Sequence, residues 1–189
     1  MRYSNGIRRA ALATTAAAGV AAAVTGILPG TAMAASTTST PPPACSASAL
    51  QVSAWQAAHR PVGTGVGAAV VQFTNVSRTT CTLKGHPTVA GAGNGSPDHN
   101  APLKVTPTGK ATTVTVKPHG KAWLKLTFVQ VQGEADGYCV SGAKPVAYPT
   151  MVIGLPHTGK HQVGLKDGGL WAECDNKVTA TAVSSVKPS

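Results

Sequence analysis

Charged and aromatic residues are scarce in this sequence, at 12% and 4% of 189 residues. Acids are the scarcest charged residues, with 6 Asp and Glu against 16 Lys and Arg. The basic residues are not interleaved with aromatic ones, and phosphate attraction without base stacking is non-specific. We therefore expect no specific nucleic-acid binding.

Catalytic and redox motifs are missing as well. The chain has no GxSxG sequence, which would mark a hydrolase nucleophile, and no CxxC sequence, which would mark a zinc ribbon or a redox site. The sequence therefore predicts a protein that is not an enzyme and needs no cofactor.

Residues 1–34 have the order of a secretory signal peptide. Arg2, Arg8 and Arg9 precede an uncharged alanine-rich run, which ends at the small-residue site Ala32-Met33-Ala34. This pattern predicts cleavage after Ala34 and a secreted, extracellular protein without a membrane span. Loss of these arginines leaves 13 Lys and Arg against 6 Asp and Glu, a net charge of +7.

The remaining chain divides into three parts. Residues 35–44 are a Ser/Thr/Pro linker, because such a composition cannot bury a core. Residues 45–183 are long enough for one domain, and residues 184–189 are predicted to be a flexible tail.

Within residues 45–183 the apolar residues alternate with a period of two and form no helical stripe. Residues Val66 to Phe73 are almost continuously apolar, which predicts a central strand covered on both faces. The expected fold is all-β: an immunoglobulin-like two-sheet antiparallel β-sandwich of about seven to nine short strands. Residues Gly91 to Pro97 are predicted to be a flexible loop.

The chain has four cysteines, an even number that predicts two disulfides in an oxidising compartment. Three pairings are possible. We favour Cys45–Cys81 with Cys139–Cys174, since these close loops of similar length, with spacings of 36 and 35 residues. Each bond would then contribute roughly 4 kcal/mol by restricting the unfolded chain.

The stretch Phe73 to Gly85 contains a strand end, the sequence Asn75-Val76-Ser77 and then Cys81 in a second β-branched run. Short polar side chains such as Asn75 and Ser77 bond to nearby backbone and favour turns. We interpret the stretch as a structural corner that Cys81 holds in place.

This order of motifs resembles a secreted actinobacterial family called domain of unknown function 4232, across nearly all of residues 45–183. The matching residues are Phe73, Thr74, Asn75, Ser77, Cys81, Thr82, Leu83, Gly85, Pro87, Pro118, Gly120, Leu124, Leu126, Cys139, Pro149 and Cys174. The resemblance implies an extracellular immunoglobulin-like sandwich with two disulfides, and it implies no catalytic residues.

Two candidate sites can be named from the residues. His157 and His161 flank a turn and are candidate metal ligands, although Lys160 between them disfavours a cation. Four acids cluster if Cys139 bonds to Cys174, which would suit calcium or a carboxylate pair; exposed acidic turns are the simpler interpretation. These acids are Glu134, Asp136, Glu173 and Asp175.

Three functional hypotheses follow. The first is a non-enzymatic module that binds an anionic cell-wall polymer through its lysines. The second is an inhibitor or partner-binding module that presents a loop at residues 91–102 to a secreted enzyme. The third is an extracellular metal-binding protein that uses His157 and His161. Trp123, on the strand face opposite Leu124, is expected in the second sheet's core or at an exposed contact.

Overall fold

Short β-strands dominate the computed structural model, which describes residues 40–59, 65–132 and 137–189. One 3-10 turn, Ala47–Ala49, precedes the first strand. The strands of the described residues are β1 (Leu50–Gln56), β2 (Val66–Asn75), β3 (Cys81–Lys84), β4 (Thr88–Ala92), β5 (Asn100–Pro102), β6 (Lys104–Thr108), β7 (Thr113–Val116), β8 (Lys121–Val129), β9 (Val146–Tyr148), β10 (Thr150–Leu155), β11 (Gly159–Val163), β12 (Trp171–Glu173) and β13 (Lys177–Thr181). The predicted all-β class is confirmed. The described ranges contain no helix long and apolar enough to cross a membrane.

The predicted signal peptide and residues 35–39 of the predicted linker lie outside the described residues. The prediction of about seven to nine strands was too low. It missed β5, β6, β9 and β12, three of which have only three residues. β6 contains Pro107, which weakens a strand pattern because proline cannot donate to the ladder.

The larger sheet has five strands in the order β1-β2-β8-β13-β6. β2 pairs antiparallel with β1 on one side and with β8 on the other. Val71 and Phe73 are buried on one face of β2, and Ala68 and Val70 are buried on the opposite face. The prediction of a central strand covered on both faces is confirmed.

One edge of this sheet is parallel. β13 pairs with β6 so that Lys177 lies opposite Lys104 and Thr181 opposite Thr108. The other strand pairs are antiparallel, as predicted, so this edge is the exception among the described strands. An immunoglobulin-like strand order stays a prediction.

The second sheet has four strands in the order β11-β10-β4-β5. Gly91 and Ala92 belong to β4, so the prediction of a loop beginning at Gly91 was wrong, and the loop spans residues 93–99. A Cβ atom at Gly91 would overlap the ring of Tyr148. This glycine therefore allows a ring to pack on the strand and does not mark a flexible loop.

The main core lies between the sheets. Its residues come from both, and from the two-stranded pairs β3–β7 and β9–β12. The largest fully buried apolar side chains are Trp171, Phe73, Leu83, Leu124, Leu126, Ile153, Val71, Val116 and Val183. Burial of this apolar surface is the main favourable contribution to folding.

The stretch after Phe73 is the structural corner that the sequence predicted. Asn75 is fully buried at the end of β2, and its Nδ2 donates to the carbonyl oxygens of Thr79 at 2.8 Å and Val116 at 3.0 Å. Its Oδ1 accepts from the backbone N–H of Ser77 at 3.0 Å and from the Ser77 hydroxyl at 2.7 Å. These bonds join β2 to the turn and to β7.

The favoured disulfide pairing is confirmed. Cys45 bonds to Cys81, and Cys139 bonds to Cys174. Cys45 and Cys81 belong to the main core, whereas the second bond lies beside β12.

The predicted tail is attached to the five-stranded sheet at its first residue. Ser184 and Trp123 exchange two backbone hydrogen bonds, each of 2.8 Å. Lys125 Nζ also donates to the backbone oxygen of Ser189 at 2.7 Å.

Candidate ligand-binding surface

The outer face of the five-stranded sheet carries lysine and threonine side chains. In β8 the core side chains Ala122, Leu124 and Leu126 alternate with Lys121, Trp123 and Lys125, which therefore point outward. In β13, Val178 and Ala180 face the core, so the alternate residues of this strand lie on the outer face. Their register partners in β6 lie on the same outer face. We call this surface the lysine face: Lys104, Lys121, Lys125, Lys177, Thr106, Thr108, Thr127, Thr179 and Thr181.

Two of these lysines are direct neighbours. Lys104 and Lys177 are partners in the parallel register, and both are exposed. None of the five strands of this sheet contains an Asp or Glu. Like charges on directly opposed residues destabilise a sheet, so this pair favours a bound anion between its ammonium groups.

Trp123 lies on the same outer face, and not in the core between the sheets. It packs against a small buried cluster of Ala57, Ala68 and Val70. The expectation that it belongs to the second sheet's core is therefore wrong. The reason is that small apolar side chains of the neighbouring strand β2 lie on the outer face at this point, and Trp123 packs on them there.

His157 and His161 are placed in different surroundings. His157 is exposed in the turn between β10 and β11, with a positive φ of 63°. His161 lies opposite Ile153, a core residue, and its Nε2 is buried without a hydrogen-bond partner. Burial lowers the pKa of His161. In the described part of the chain no three His, Cys, Asp or Glu side chains are grouped so as to hold a metal.

Only part of the predicted acidic cluster can be described, because Glu134 and Asp136 lie outside the described residues. Glu173 is fully buried, and neither carboxylate oxygen has a hydrogen-bond partner of normal geometry. Burial raises its pKa, the nearby backbone N–H groups of Lys177 and Asn176 oppose this change, and the charge of Asp175 adds to it. Glu173 is a buried acid and not an exposed calcium ligand.

Sequence reasoning missed the pairing of Lys104 with Lys177, because it found the lysines dispersed singly along the chain. It also did not single out Trp55 as a site residue. The signal for Trp55 was present, since it alternates with Leu50, Val52 and Ala54 and so occupies the polar face of β1.

A family model described as "Domain of unknown function (DUF4232)" matches residues 45–184. No curated protein and no solved structure matches the chain. The chain belongs to this family of domains of unknown function.

Proposed function

We propose that this member of the family is a secreted, non-enzymatic module that binds an anionic polymer of the cell surface on its lysine face. The proposal rests on the adjacent Lys104 and Lys177 in a sheet whose strands contain no acid. A phosphate-bearing wall polymer has the complementary charge.

The geometry suits a repeating anion. Neighbouring strands are about 4.8 Å apart, so the Lys104 and Lys177 ammonium groups can reach one phosphate together. Lys121 lies at the opposite end of the face, because the register places Lys177 level with Val129, and eight residues of strand separate the two by about 26 Å. It would therefore contact a different repeat of the polymer. The Thr108 hydroxyl donates to the carbonyl oxygen of Ala180 at 3.3 Å, whereas the hydroxyls of Thr106 and Thr179 can donate to phosphate oxygens.

Secretion is the second part of the proposal. Residues 1–34 act as a signal peptide cleaved after Ala34. The two disulfides are consistent with an extracellular protein, because such bonds persist in oxidising compartments.

The test is co-sedimentation of the oxidised protein, beginning at Ala35, with purified Gram-positive cell wall across a salt series. We expect binding that falls steeply as salt screens the charges, and that vanishes when teichoic acid is removed from the wall. The variant Lys104→Gln/Lys121→Gln/Lys177→Gln should lose binding.

A matched control removes the same charge elsewhere, in the variant Lys84→Gln/Lys110→Gln/Lys144→Gln. These lysines are exposed and lie outside the five-stranded sheet. The control should keep most of the binding. Equal loss in both variants, or binding that is indifferent to both, would contradict a localised lysine face.

A further inference from the structure

A groove of about 630 Å³ lies on the outer side of the five-stranded sheet, between β1 and β2 and the last residues of the chain. Four other cavities of the described residues are smaller and measure about 50 to 400 Å³. Its volume falls within the usual range of small-molecule sites. Trp55 and Val70 line the strand side, and Lys187 and Pro188 line the opposite side.

Trp55 differs from the other tryptophans of the chain. Trp171 is fully buried in the main core, and Trp123 packs on the small outer cluster. Trp55 is half-buried and lines the groove. A tryptophan that borders an open groove supplies a flat apolar face whose π-system is negative.

The polar side chains that line the groove with Trp55 include Gln72, Asp167 and Lys187, and also Gln56, His59 and Ser189. The Gln72 amide is held by its hydrogen bond to Thr74 Oγ1 at 3.0 Å. Asp167 Oδ2 accepts from the backbone N–H of Gln56 at 2.9 Å, which fixes the carboxylate at the wall of the groove. The groove therefore offers a carboxylate, an amide and an ammonium group.

We propose that this groove binds one sugar unit of an uncharged glycan. The C–H groups on one side of a pyranose ring carry partial positive charge and suit the face of Trp55. The sugar hydroxyls both donate and accept, so they match the carboxylate of Asp167, the amide of Gln72 and the ammonium of Lys187. Asp167 disfavours a phosphate at this point, which separates the groove from the lysine face.

The inference goes beyond the proposed function, since its ligand is uncharged and its residues are different. Isothermal titration of the folded protein with hexamers of N-acetylglucosamine, glucose and mannose tests it. We expect at least one hexamer to bind with a Kd of about 1 mM or tighter. Binding should persist at about 1 M sodium chloride, because it does not depend on net charge.

Trp55→Ala should weaken this binding about tenfold or more, and Trp55→Phe should retain part of it through its smaller ring. The control Lys104→Gln/Lys177→Gln should leave the hexamer affinity unchanged while it lowers wall binding. Thermal unfolding checks that each variant is folded. The proposal is overturned if none of the three hexamers binds, if salt abolishes binding, or if folded Trp55→Ala binds as well as the unmodified protein.

Discussion

Each disulfide of this protein lies near a fully buried polar side chain, and the two sites differ in how that side chain is satisfied. Near Cys45–Cys81, Asn75 makes four side-chain hydrogen bonds. Beside Cys139–Cys174, the Glu173 carboxylate makes none of normal geometry among the described residues. A buried polar group stabilises a fold only when it is bonded, so the Asn75 site favours folding and the Glu173 site opposes it.

The largest expected effect is removal of a disulfide. Cys45→Ala/Cys81→Ala and Cys139→Ala/Cys174→Ala open loops of similar length, so each should cost about 4 kcal/mol on the loop-entropy model. We expect the first variant to lose more, because its cysteines pack in the main core and those of the second do not. Urea unfolding measures the difference. An equal loss would mean that loop entropy alone accounts for both disulfides and that packing of Cys45 and Cys81 in the main core adds nothing.

Asn75→Ala should cost about 3 kcal/mol, because it removes the Asn75 donor from the buried carbonyl group of Val116 and the partly buried bond to the Thr79 carbonyl group, and leaves Ser77 without the Asn75 acceptor. Urea unfolding again gives the measurement. Val76→Ala is the matched control, since Val76 is 46% exposed in the same corner and should be almost neutral. A loss below that of the control would show that the four bonds do not hold the corner.

Glu173→Gln should stabilise the protein by about 1 kcal/mol at pH 7, because it removes a buried charge and keeps the shape of the side chain. The ordinary pKa of Glu is 4.5, and the folded pKa of Glu173 is raised. The unfolded chain therefore ionises first, and stability is lost as pH rises from about 4.5 through the folded pKa. Unfolding across pH should show this loss in the unmodified protein and less of it in the variant. An unchanged pH profile would contradict a raised pKa.

The smallest effects compare two serines. Ser77 donates to Asn75 Oδ1 at 2.7 Å in a partly buried setting, and Ser141 donates to Asp175 Oδ1 at 2.6 Å in an exposed one. We expect Ser77→Ala to cost about 1 kcal/mol and Ser141→Ala less than about 0.5 kcal/mol. Thermal unfolding of both variants checks the order, and a larger loss at Ser141 would reverse the comparison.

Local patterns predicted much of the fold because they depend on neighbouring residues. The alternation in β8 and the turn chemistry of Asn75 and Ser77 were recognised from sequence, and the structure confirms both. Short strands such as β9 and β12 were missed, because three residues are too few to show a period. Gly91 was taken for a loop residue because its requirement comes from Tyr148, which is far away in sequence.

The candidate sites were harder to predict than the strands. His157 and His161 were paired on spacing alone, yet the pleat of β11 turns His161 toward the core while His157 stays exposed in the turn. Glu173 was grouped with exposed acids, although its burial depends on how β12 packs. Side-chain environment is set by packing between distant segments, and spacing along the chain does not contain it.

The sequence by itself determined the all-β class, the corner at Asn75 and a cysteine arrangement from which the pairing was correctly favoured. These follow from residue type, periodicity and loop length, which are local or nearly local properties. Only the tertiary structure decided that Lys104 lies beside Lys177, that Trp55 borders a groove and that Glu173 is buried with no hydrogen bond of normal geometry to a described residue. The physical reason is that strand order and parallel register bring together segments that no local signal connects.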